Sequence, residues 1–273
     1  MLPGFMLSLR EGLEAALIIG IVFGTLRQMR RSELNAVVWG GVIGAVGISL
    51  ITAFVLYALG ASFEGTSEEI FEGVTMFLAA GVLTWMVIWM YRQASRIKSG
   101  LEKDVRQALA QTGSWALFII AFIAIVREGI ELVLFLTAAT FSSSAGSTIV
   151  GALLGLSTAV ILGWMLYKTS VRLDLRRFFQ VTGVLLFLFA AGLVAHGVHE
   201  FNEAGLIPSV IEPVWDINHL LPEKSTMGQM LKALFGYNGN PSLTEVVAYI
   251  VYFTIILLSL WKVSSKVPAF QKK

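Results

Sequence analysis

Long apolar stretches alternate with short polar breaks along this chain, a pattern typical of helices that cross a membrane. A helix needs about 20 mostly apolar residues to cross the hydrocarbon of a bilayer. Seven such stretches can be marked off between polar breaks. They cover approximately residues 2–26, 35–60, 70–91, 114–140, 147–168, 178–199 and 243–263. The pattern predicts an all-α membrane protein with seven transmembrane helices.

Small residues recur within two of these spans. Gly40, Gly44 and Gly47 lie in the second span, and Gly151 and Gly155 lie in the fifth. Glycines at such spacing let helix backbones approach closely in a membrane. We therefore expect these residues to pack one helix against another.

Lysine and arginine are distributed unevenly among the loops, and this sets the predicted orientation. Positive residues are held on the cytoplasmic side of a membrane protein. The basic residues that follow the first, third and fifth spans, or lie in the tail, are Arg27, Arg30, Arg31, Arg92, Arg96, Lys98, Lys103, Arg106, Lys168, Arg172, Arg176, Arg177, Lys262, Lys266, Lys272 and Lys273. The opposite loops hold only Lys224 and Lys232. The N-terminus, read as a retained span rather than a cleaved signal, is predicted to face outside and the C-terminus to face the cytoplasm.

The predicted outer loops are acidic. Their acidic residues are Glu64, Glu68, Glu69, Glu72, Glu200, Glu203, Glu212, Asp216 and Glu223. A negative mouth concentrates cations, although an ordinary solvated loop would have the same composition. The segment 200–241 is too polar to span the membrane, but its sequence STMGQMLKALFGY favours a short helix at the outer face. Ser242 and Glu245 have the spacing of a capping box at the start of the last span.

Composition supports a protein that lies in lipid. Hydrophobic residues make up 56% of the 273 positions, more than a soluble core can bury. Cysteine is absent. Disulfides and thiolate metal sites are therefore excluded, and the redox compartment is left undetermined.

Two charged motifs of the same form interrupt the first and fourth spans. LREGLEAALI occupies 9–18 and VREGIELVLF occupies 126–135, and FLAAGVLTWM (77–86) in the third span is echoed by LFAAGLVAHG (188–197) in the sixth. A repeat of three spans must enter the membrane from the opposite side the second time, which makes it an inverted repeat. We predict one permease domain over 1–273, with repeat one at about 2–91, repeat two at about 114–199, an outer loop at 200–241 and a last helix at about 243–263.

The charged side chains of the two motifs make insertion of their helices into a membrane less favourable. Such residues are usually retained for a function. An ionised side chain at the centre of a helix costs about 2.5 to 3.5 kcal/mol on insertion scales. The residues concerned are Arg10, Glu11, Glu14, Arg127, Glu128 and Glu131. Helical spacing lets the three in each motif face one cavity. Gly12 and Gly129 would let the facing backbones come close or a hydrated ion pass beside them.

Charge balance favours a bound cation over a purely structural role. Four carboxylates and two guanidiniums leave two negative charges unneutralised. Carboxylate oxygens are hard ligands that suit iron, manganese, magnesium or calcium. The alternative is two structural ion pairs, Arg10 with Glu14 and Arg127 with Glu131. In either case the arginines hold the carboxylates ionised and oriented.

The histidines carry a weaker signal. His196 and His199 lie one turn apart near the outer end of the sixth span, where they would either pass metal inward or, more commonly for such residues, lie at the interface. Haem ligation by histidines on facing helices is disfavoured because no other span carries a histidine.

At REGLE and REGIE the chain resembles the oxidase-dependent iron permeases, the group that contains the fungal high-affinity iron permease, and within it the bacterial EfeU branch. The likeness extends over nearly the whole chain. Further matching elements are FEG (71–73) followed by LTWMVIWM (83–90), NEAG (202–205) and FGY (235–237) before the last span.

The resemblance implies a permease, not an enzyme, that imports iron across the bacterial inner membrane. It implies that Glu11, Glu14, Glu128 and Glu131 bind and translocate iron, with Arg10 and Arg127 completing the motifs. Ferrous or ferric iron would be the substrate, with no permanently bound cofactor. The implied partners are a periplasmic iron-binding protein and a haem peroxidase. Fungal relatives carry acidic outer-loop motifs, and the residues assigned here to a route of access are Glu68, Glu69, Glu72, Glu200, Glu203, His196 and His199.

Other functions remain open at this stage. The same ligands would suit a permease for another divalent metal such as manganese. A proton-coupled solute carrier could use the Arg and Glu pairs as a relay, and an intramembrane redox protein is disfavoured by the absence of cysteine and of histidines on different spans. A homo-oligomer is compatible with the sequence.

Overall fold

The computed structural model describes residues 1–93, 97–111, 113–168, 175–223 and 225–265, and the regular secondary structure within these ranges is helical. In chain order the elements are α1 (Leu2–Gln28), a 3₁₀ turn (Ser32–Leu34), α2 (Asn35–Gly60), α3 (Thr66–Gln93), α4 (Ile97–Gln111), α5 (Ser114–Ser142), α6 (Ala145–Lys168), α7 (Leu175–Glu203), α8 (Thr226–Phe235) and α9 (Leu243–Ser265). The predicted all-α class is confirmed.

The seven predicted spans fall on α1, α2, α3, α5, α6, α7 and α9. Within the described ranges, four helical stretches are long and apolar enough to cross a membrane: Ser32–Gly60, Thr66–Met90, Ala145–Met165 and Phe178–Glu203. α1 and α5 are as long, but each carries an arginine and two glutamates near its middle. Leu243–Ser259 in α9 is a shorter apolar helix.

Helix ends extend beyond the predicted spans. α3 begins at Thr66 and its first turn carries Glu68 and Glu69, while α7 continues to Glu203. Hydropathy marks only the apolar middle of a helix, so polar first and last turns are left out of a predicted span. Of the basic residues that predict the orientation, Arg96, Arg172, Lys224, Lys266, Lys272 and Lys273 lie outside the described residues.

The chain divides into two compact units. The first comprises Met1–Ser62 and Gln93–Thr182, and the second comprises Phe63–Arg92 and Gly183–Lys273. In the first unit α1 packs chiefly against α6, α2 packs chiefly against α5, and α1 also contacts α5. Both charged motifs therefore belong to the first unit.

Glycines set the closest approaches in the first unit, as predicted for α6. A Cβ on Gly151 would lie 3.0 Å from the Phe5 nitrogen, and one on Gly155 would lie 2.9 Å from the Leu9 nitrogen. In α2 the closest approach is at Gly41, which the sequence analysis did not single out. A Cβ there would lie 2.6 Å from the Phe118 carbonyl oxygen.

The glycines predicted to pack in α2 differ from one another. Gly40 and Gly44 face aromatic rings of α5 at ordinary contact distances of 3.6 and 3.4 Å, and Gly47 faces open space. The glycine spacing correctly predicted that α2 has a packed face. The centre of that face is Gly41, about 100° around the helix from Gly40.

α4 is an amphipathic helix that was not predicted, because its polar residues hide its apolar face in a hydropathy profile. Val105 of α4 is fully buried. It belongs to a cluster, called here the α4 cluster, whose buried members are Val22, Leu26, Val38, Val105, Leu117 and Ala121. α4 therefore covers the end of α1 and the beginnings of α2 and α5.

Most of α3 and of α7, together with α8 and α9, belongs to the second unit. The rings of Phe77 in α3 and Phe201 in α7 stack with centroids 5.4 Å apart. Thr84 of α3 and Tyr252 of α9 share a hydrogen bond of 2.7 Å between their hydroxyl groups. These contacts join α3 to both α7 and α9.

The segment 200–241 folds back on itself and contains α8, as predicted. Ser225 caps α8 by accepting a hydrogen bond from the Gly228 nitrogen, and Gly236 ends the helix with a positive φ of 68°. The backbone nitrogen of Ile217 donates to the Gly239 carbonyl at 2.9 Å. Gly236 also packs against Gly192 of α7, so this segment is held against the second unit.

The capping box at the start of α9 is confirmed. The Glu245 nitrogen donates to the Ser242 hydroxyl at 3.2 Å, and the Ser242 nitrogen donates to a Glu245 carboxylate oxygen at 3.0 Å. These reciprocal bonds satisfy two of the free backbone donors of a helix start.

Candidate metal centre

The two charged motifs lie inside α1 and α5, and five of their six charged side chains are buried. Arg10 and Glu11 are each 1% exposed, Glu14 and Glu131 are 8% exposed, and Glu128 is 6% exposed. The Arg127 side chain is 38% exposed. The two motifs match in sequence but differ in how completely the protein encloses their arginines.

Each arginine pairs with the second glutamate of its own motif. Arg10 Nη2 lies 3.3 Å from Glu14 Oε1, and Arg127 Nε lies 2.8 Å from Glu131 Oε1. Arg10 Nη1 also lies 3.6 Å from Glu11 Oε1. Residues four apart are neighbours on a helix surface. The ion pairs considered in the sequence analysis therefore form, and they form within each helix rather than between helices.

Three carboxylates from the two motifs converge. One oxygen each of Glu11, Glu128 and Glu131 lies within 4.8 Å of the others. Glu14 is outside this group of three, although it is buried and belongs to the same motif as Glu11. The group is called here the carboxylate triad.

Several of these oxygens lack a hydrogen bond. Both oxygens of Glu11 and one oxygen each of Glu14, Glu128 and Glu131 are buried and accept none from the described part of the chain. Buried polar atoms without a partner are uncommon in proteins and are explained by strain, by a functional role or by a water or ion. Of these oxygens, Glu11 Oε1 and Glu14 Oε1 face Arg10. The triad keeps Glu11 Oε2, Glu128 Oε2 and Glu131 Oε2 as acceptor oxygens in an interior where negative charges repel one another strongly.

The motif glycines face neighbouring helices. A Cβ on Gly12 would lie 2.7 Å from the Cβ of Ala159 in α6, and a Cβ on Gly129 would lie 2.8 Å from the Cβ of Ser49 in α2. Of the two roles considered for these glycines, close approach of helices is the one that the structure supports.

We expect Gly129→Ala to destabilise the protein. The new methyl group would collide with Ser49, and overpacking of this kind costs about 1 to 3 kcal/mol. Thermal unfolding in detergent would measure the loss. The control is Gly47→Ala on α2, which has nothing within 4 Å and should not lose stability. The double variant Gly129→Ala/Ser49→Gly should recover part of the loss, and equal stability of Gly129→Ala and Gly47→Ala would contradict the packing argument.

The two histidines of α7 hydrogen-bond to different partners. His196 Nδ1 lies 3.0 Å from the Gly192 carbonyl oxygen of its own helix. His199 Nδ1 lies 3.2 Å from a Glu245 oxygen, and its Nε2 lies 3.4 Å from a Glu203 oxygen. The sequence pattern around Glu245 predicts only its capping role. Its contact with His199 joins residues far apart in sequence, and no local pattern predicts such a contact.

The other candidate residues for a route of access lie on α3 and α7, where the charges of Glu68, Glu200 and Glu203 act on Glu72. Glu68 and Glu203 are exposed, whereas Glu69, Glu72 and Glu200 are half-buried. Within the described ranges, the triad is the only set of three or more acidic or histidine side chains whose ligand atoms come this close together. The acidic residues of the second unit therefore form no ready-made metal site.

The apolar helices and the buried charged motifs define a multi-pass α-helical membrane protein of the permease class. A sequence profile of the iron permease FTR1 family matches residues 1–265. The chain belongs to this family, and the resemblance found in its sequence is confirmed. Members of the family are transporters rather than enzymes.

Individual relatives cover the same length. The ferrous iron permease EfeU of Escherichia coli O6:K15:H31 (strain 536 / UPEC) is 38% identical over 259 residues, which is 93% of each chain. EfeU of Shigella sonnei (strain Ss046) has the same identity and coverage. EfeU of Yersinia pestis is 34% identical over 256 residues, or 93% of this chain and 91% of the relative. No solved structure matches the chain.

Proposed function

We propose that this chain imports ferrous iron across the bacterial cytoplasmic membrane and that the carboxylate triad binds the ion in transit. The observation that carries the proposal is the convergence of Glu11, Glu128 and Glu131 from two helices, with free buried oxygens, in a chain of the iron permease family. The relatives are named ferrous iron permeases, which favours the divalent ion. Iron is the cargo, and no resident cofactor is invoked.

The charge of the site suits a divalent ion. Four buried or nearly buried carboxylates and two arginines leave an excess of two negative charges. Since Arg10 pairs with Glu14 and Arg127 pairs with Glu131, Glu11 and Glu128 supply that excess. We assign Glu14 to the site as a fourth ligand that becomes available when its pairing with Arg10 loosens. The arginines would keep affinity low enough for release.

We further propose seven transmembrane helices with the N-terminus outside, arranged as an inverted repeat of two three-helix units plus a seventh helix. The repeat pairs Arg10 with Arg127, and the same alignment pairs Phe5 with Phe122 and Gly12 with Gly129. The repeat makes α1 equivalent to α5 and α2 equivalent to α6. The contacts of the first unit agree with this equivalence, because α1 packs against α6 and α5 packs against α2.

The first set of paired contacts involves glycines. Gly151 of α6 packs against Phe5 of α1, and Gly41 of α2 packs against Phe122 of α5. Phe5 and Phe122 are partners in the alignment. A pseudo-two-fold relation requires such matching contacts, and chance packing does not.

The second set lies in the motifs themselves. Gly12 packs against Ala159, and Gly129 packs against Ser49. Ser49 follows Gly41 at the same spacing as Ala159 follows Gly151. Both sets are therefore related by one alignment of the helices, which supports a single permease domain over 1–273 built from repeats at about 2–91 and 114–199.

Access to the site and the partners are part of the proposal. We assign the acidic residues of the second unit, with His196 and His199, to the route by which iron reaches the permease from outside. The residues concerned are Glu68, Glu69, Glu72, Glu200 and Glu203. A periplasmic iron-binding protein and a haem peroxidase would deliver the iron, and a homo-oligomer is compatible with the apolar helix surfaces.

Uptake of radiolabelled iron into proteoliposomes that contain only this chain tests the function. We expect uptake from ferrous iron under ascorbate, with little from a soluble ferric chelate. Excess manganese should compete only weakly with iron. Strong inhibition by manganese would instead indicate a permease that prefers manganese. Iron uptake by protein-free liposomes sets the background. Solute-coupled proton flux without any dependence on iron would refute the proposal in favour of a proton-coupled carrier.

A further inference from the structure

One end of the first unit is closed by apolar side chains. α1 carries no charged residue from 15 to 26, and α5 carries none from 114 to 126. At 1.5 Å per residue, each stretch separates the motif from the helix end by about 18 to 20 Å. An iron ion that leaves the triad towards this end would therefore lose its polar surroundings.

Two apolar clusters fill this stretch. The one nearer the motifs, called here the central cluster, is formed by Val42, Ala45 and Ile125, with partly buried hydrophobic residues of α1 and α5 packed against it. The α4 cluster lies beyond it, at the ends of the helices. A constriction lined by apolar side chains excludes water and blocks ions even when it is narrowly open. The two clusters together place apolar side chains between the triad and the α4 end of the unit.

The opposite half of the unit is different. Ser8 of α1 and Ser142 of α5 are buried hydroxyl residues, 0% and 7% exposed, and within the described part of the chain their hydroxyl oxygens make no hydrogen bond. In the stretch towards α4, the buried hydroxyl of Thr25 is already bonded to the Ile21 carbonyl oxygen at 2.8 Å. The polar groups that could assist a hydrated ion therefore lie on the side of the triad away from α4.

α4 is held to the unit by a single face. Val105 is buried, Leu101 and Leu109 pack partly against the α4 cluster, and the opposite face carries exposed Lys103 and Asp104. One hydrogen bond between exposed side chains, from Arg106 Nη2 to Gln28 Oε1 at 2.9 Å, links α4 to the end of α1. Release of α4 would break this apolar contact and leave the helical hydrogen bonds of α1, α2 and α5 intact.

We propose that α4 is the inner gate of the permease and that it must move away from α1, α2 and α5 for iron to leave the triad. The basic residues at this end place it on the cytoplasmic side. The inference rests on the proposed function of the chain. In the arrangement described here the gate is closed, and its opening would let water reach the central cluster.

The gate can be tested by reversible crosslinking, because the natural chain contains no cysteine. Gln28→Cys/Arg106→Cys joins α1 to α4 through a bifunctional methanethiosulfonate reagent matched to the reach of the two side chains. We expect crosslinking to lower iron uptake by at least about tenfold, and reductant to restore it, since a hydrophobic gate that cannot open cannot conduct. The crosslinked chain transporting at the rate of the same variant before crosslinking would overturn the proposal.

Two controls separate the gate from general effects of modification. The same double variant treated with a monofunctional reagent carries the modifications without the link. Ser144→Cys/Ser147→Cys, which replaces two hydrogen-bonded serines between α5 and α6, is linked in the same way at the other end of α5. Both should retain uptake, and loss of uptake in both would overturn the assignment to α4.

A measurement that needs no iron distinguishes failure of the gate from failure of the proposed function. Ile125→Cys places a thiol in the central cluster, where a membrane-impermeant charged reagent can reach it from the cytoplasmic side only when α4 is displaced. Adding Val105→Asp, which puts a carboxylate into the α4 cluster, should speed labelling by at least about tenfold. Adding Lys103→Asp on the exposed face should not. Equal labelling in the two backgrounds refutes the gate, whether or not the chain transports iron.

Discussion

Replacing Glu131 by glutamine is expected to abolish iron uptake while leaving insertion and folding intact. Glu131 belongs to the triad and also accepts the hydrogen bond from Arg127. Glutamine keeps the shape of the side chain but removes its negative charge and one acceptor oxygen. Mutation of a residue that only hydrogen-bonds to a metal ligand typically lowers metal affinity or activity by about 10- to 100-fold. Loss of a ligand itself should therefore lower uptake by more than about 100-fold.

Glu33→Gln is the matched control for this experiment. Glu33 also pairs with an arginine, Arg31, but its side chain is 59% exposed and lies outside the motifs. Its loss should leave uptake unchanged. Glu14→Gln is expected to abolish uptake as well, since Glu14 is assigned as the fourth ligand. Full uptake by Glu131→Gln, in protein that elutes as a folded species, would remove Glu131 from the set of ligands.

The second large effect is expected on stability and differs between the two arginines. Arg10→Gln leaves Glu11 and Glu14 without their ion-pair partner in an enclosed site, where Arg10 is 1% exposed. Breaking a buried pair on one side costs about 3 to 5 kcal/mol. Arg127→Gln should cost less, because 38% of the Arg127 side chain is not enclosed by protein.

Thermal unfolding in detergent, followed by size-exclusion chromatography after heating, would measure both losses. The two arginines occupy equivalent motif positions, so each variant is the control for the other. Equal destabilisation would mean that the difference in exposure has no energetic consequence. A larger loss for Arg127→Gln would show that Arg127, rather than Arg10, anchors the site.

Much of the fold could be predicted because a membrane imposes a simple rule on sequence. Long apolar stretches located α2 and α6, and the spacing of Ser242 and Glu245 located the start of α9. α4 was not predicted, because its apolar residues recur only about once per helical turn. A search for continuous apolar stretches does not detect such a pattern. The sequence also could not indicate that α3 and α7 fall in a compact unit separate from the motif helices.

The site was predictable as a set of residues but not as an arrangement. The motif spacing placed Arg10 beside Glu14 and Arg127 beside Glu131, because contacts between residues four apart follow from helical geometry alone. The grouping of Glu11 with Glu128 and Glu131, without Glu14, depends on how α1 meets α5. Such a contact between distant segments is decided by packing, and the same is true of the pairing of His199 with Glu245.

The ion pairs within α1 and α5 bear on how the protein is made. α1 is synthesised and enters the bilayer long before α5 exists, so an arginine that needed a partner from the second motif would stand alone in lipid. Arg10 instead brings its own counter-ion, Glu14, one turn away on the same helix, and Arg127 brings Glu131. Each helix can therefore insert with its principal charge already neutralised. Glu11 and Glu128 then carry the charge left over in each helix, and they come together in the triad when both halves of the chain are in place.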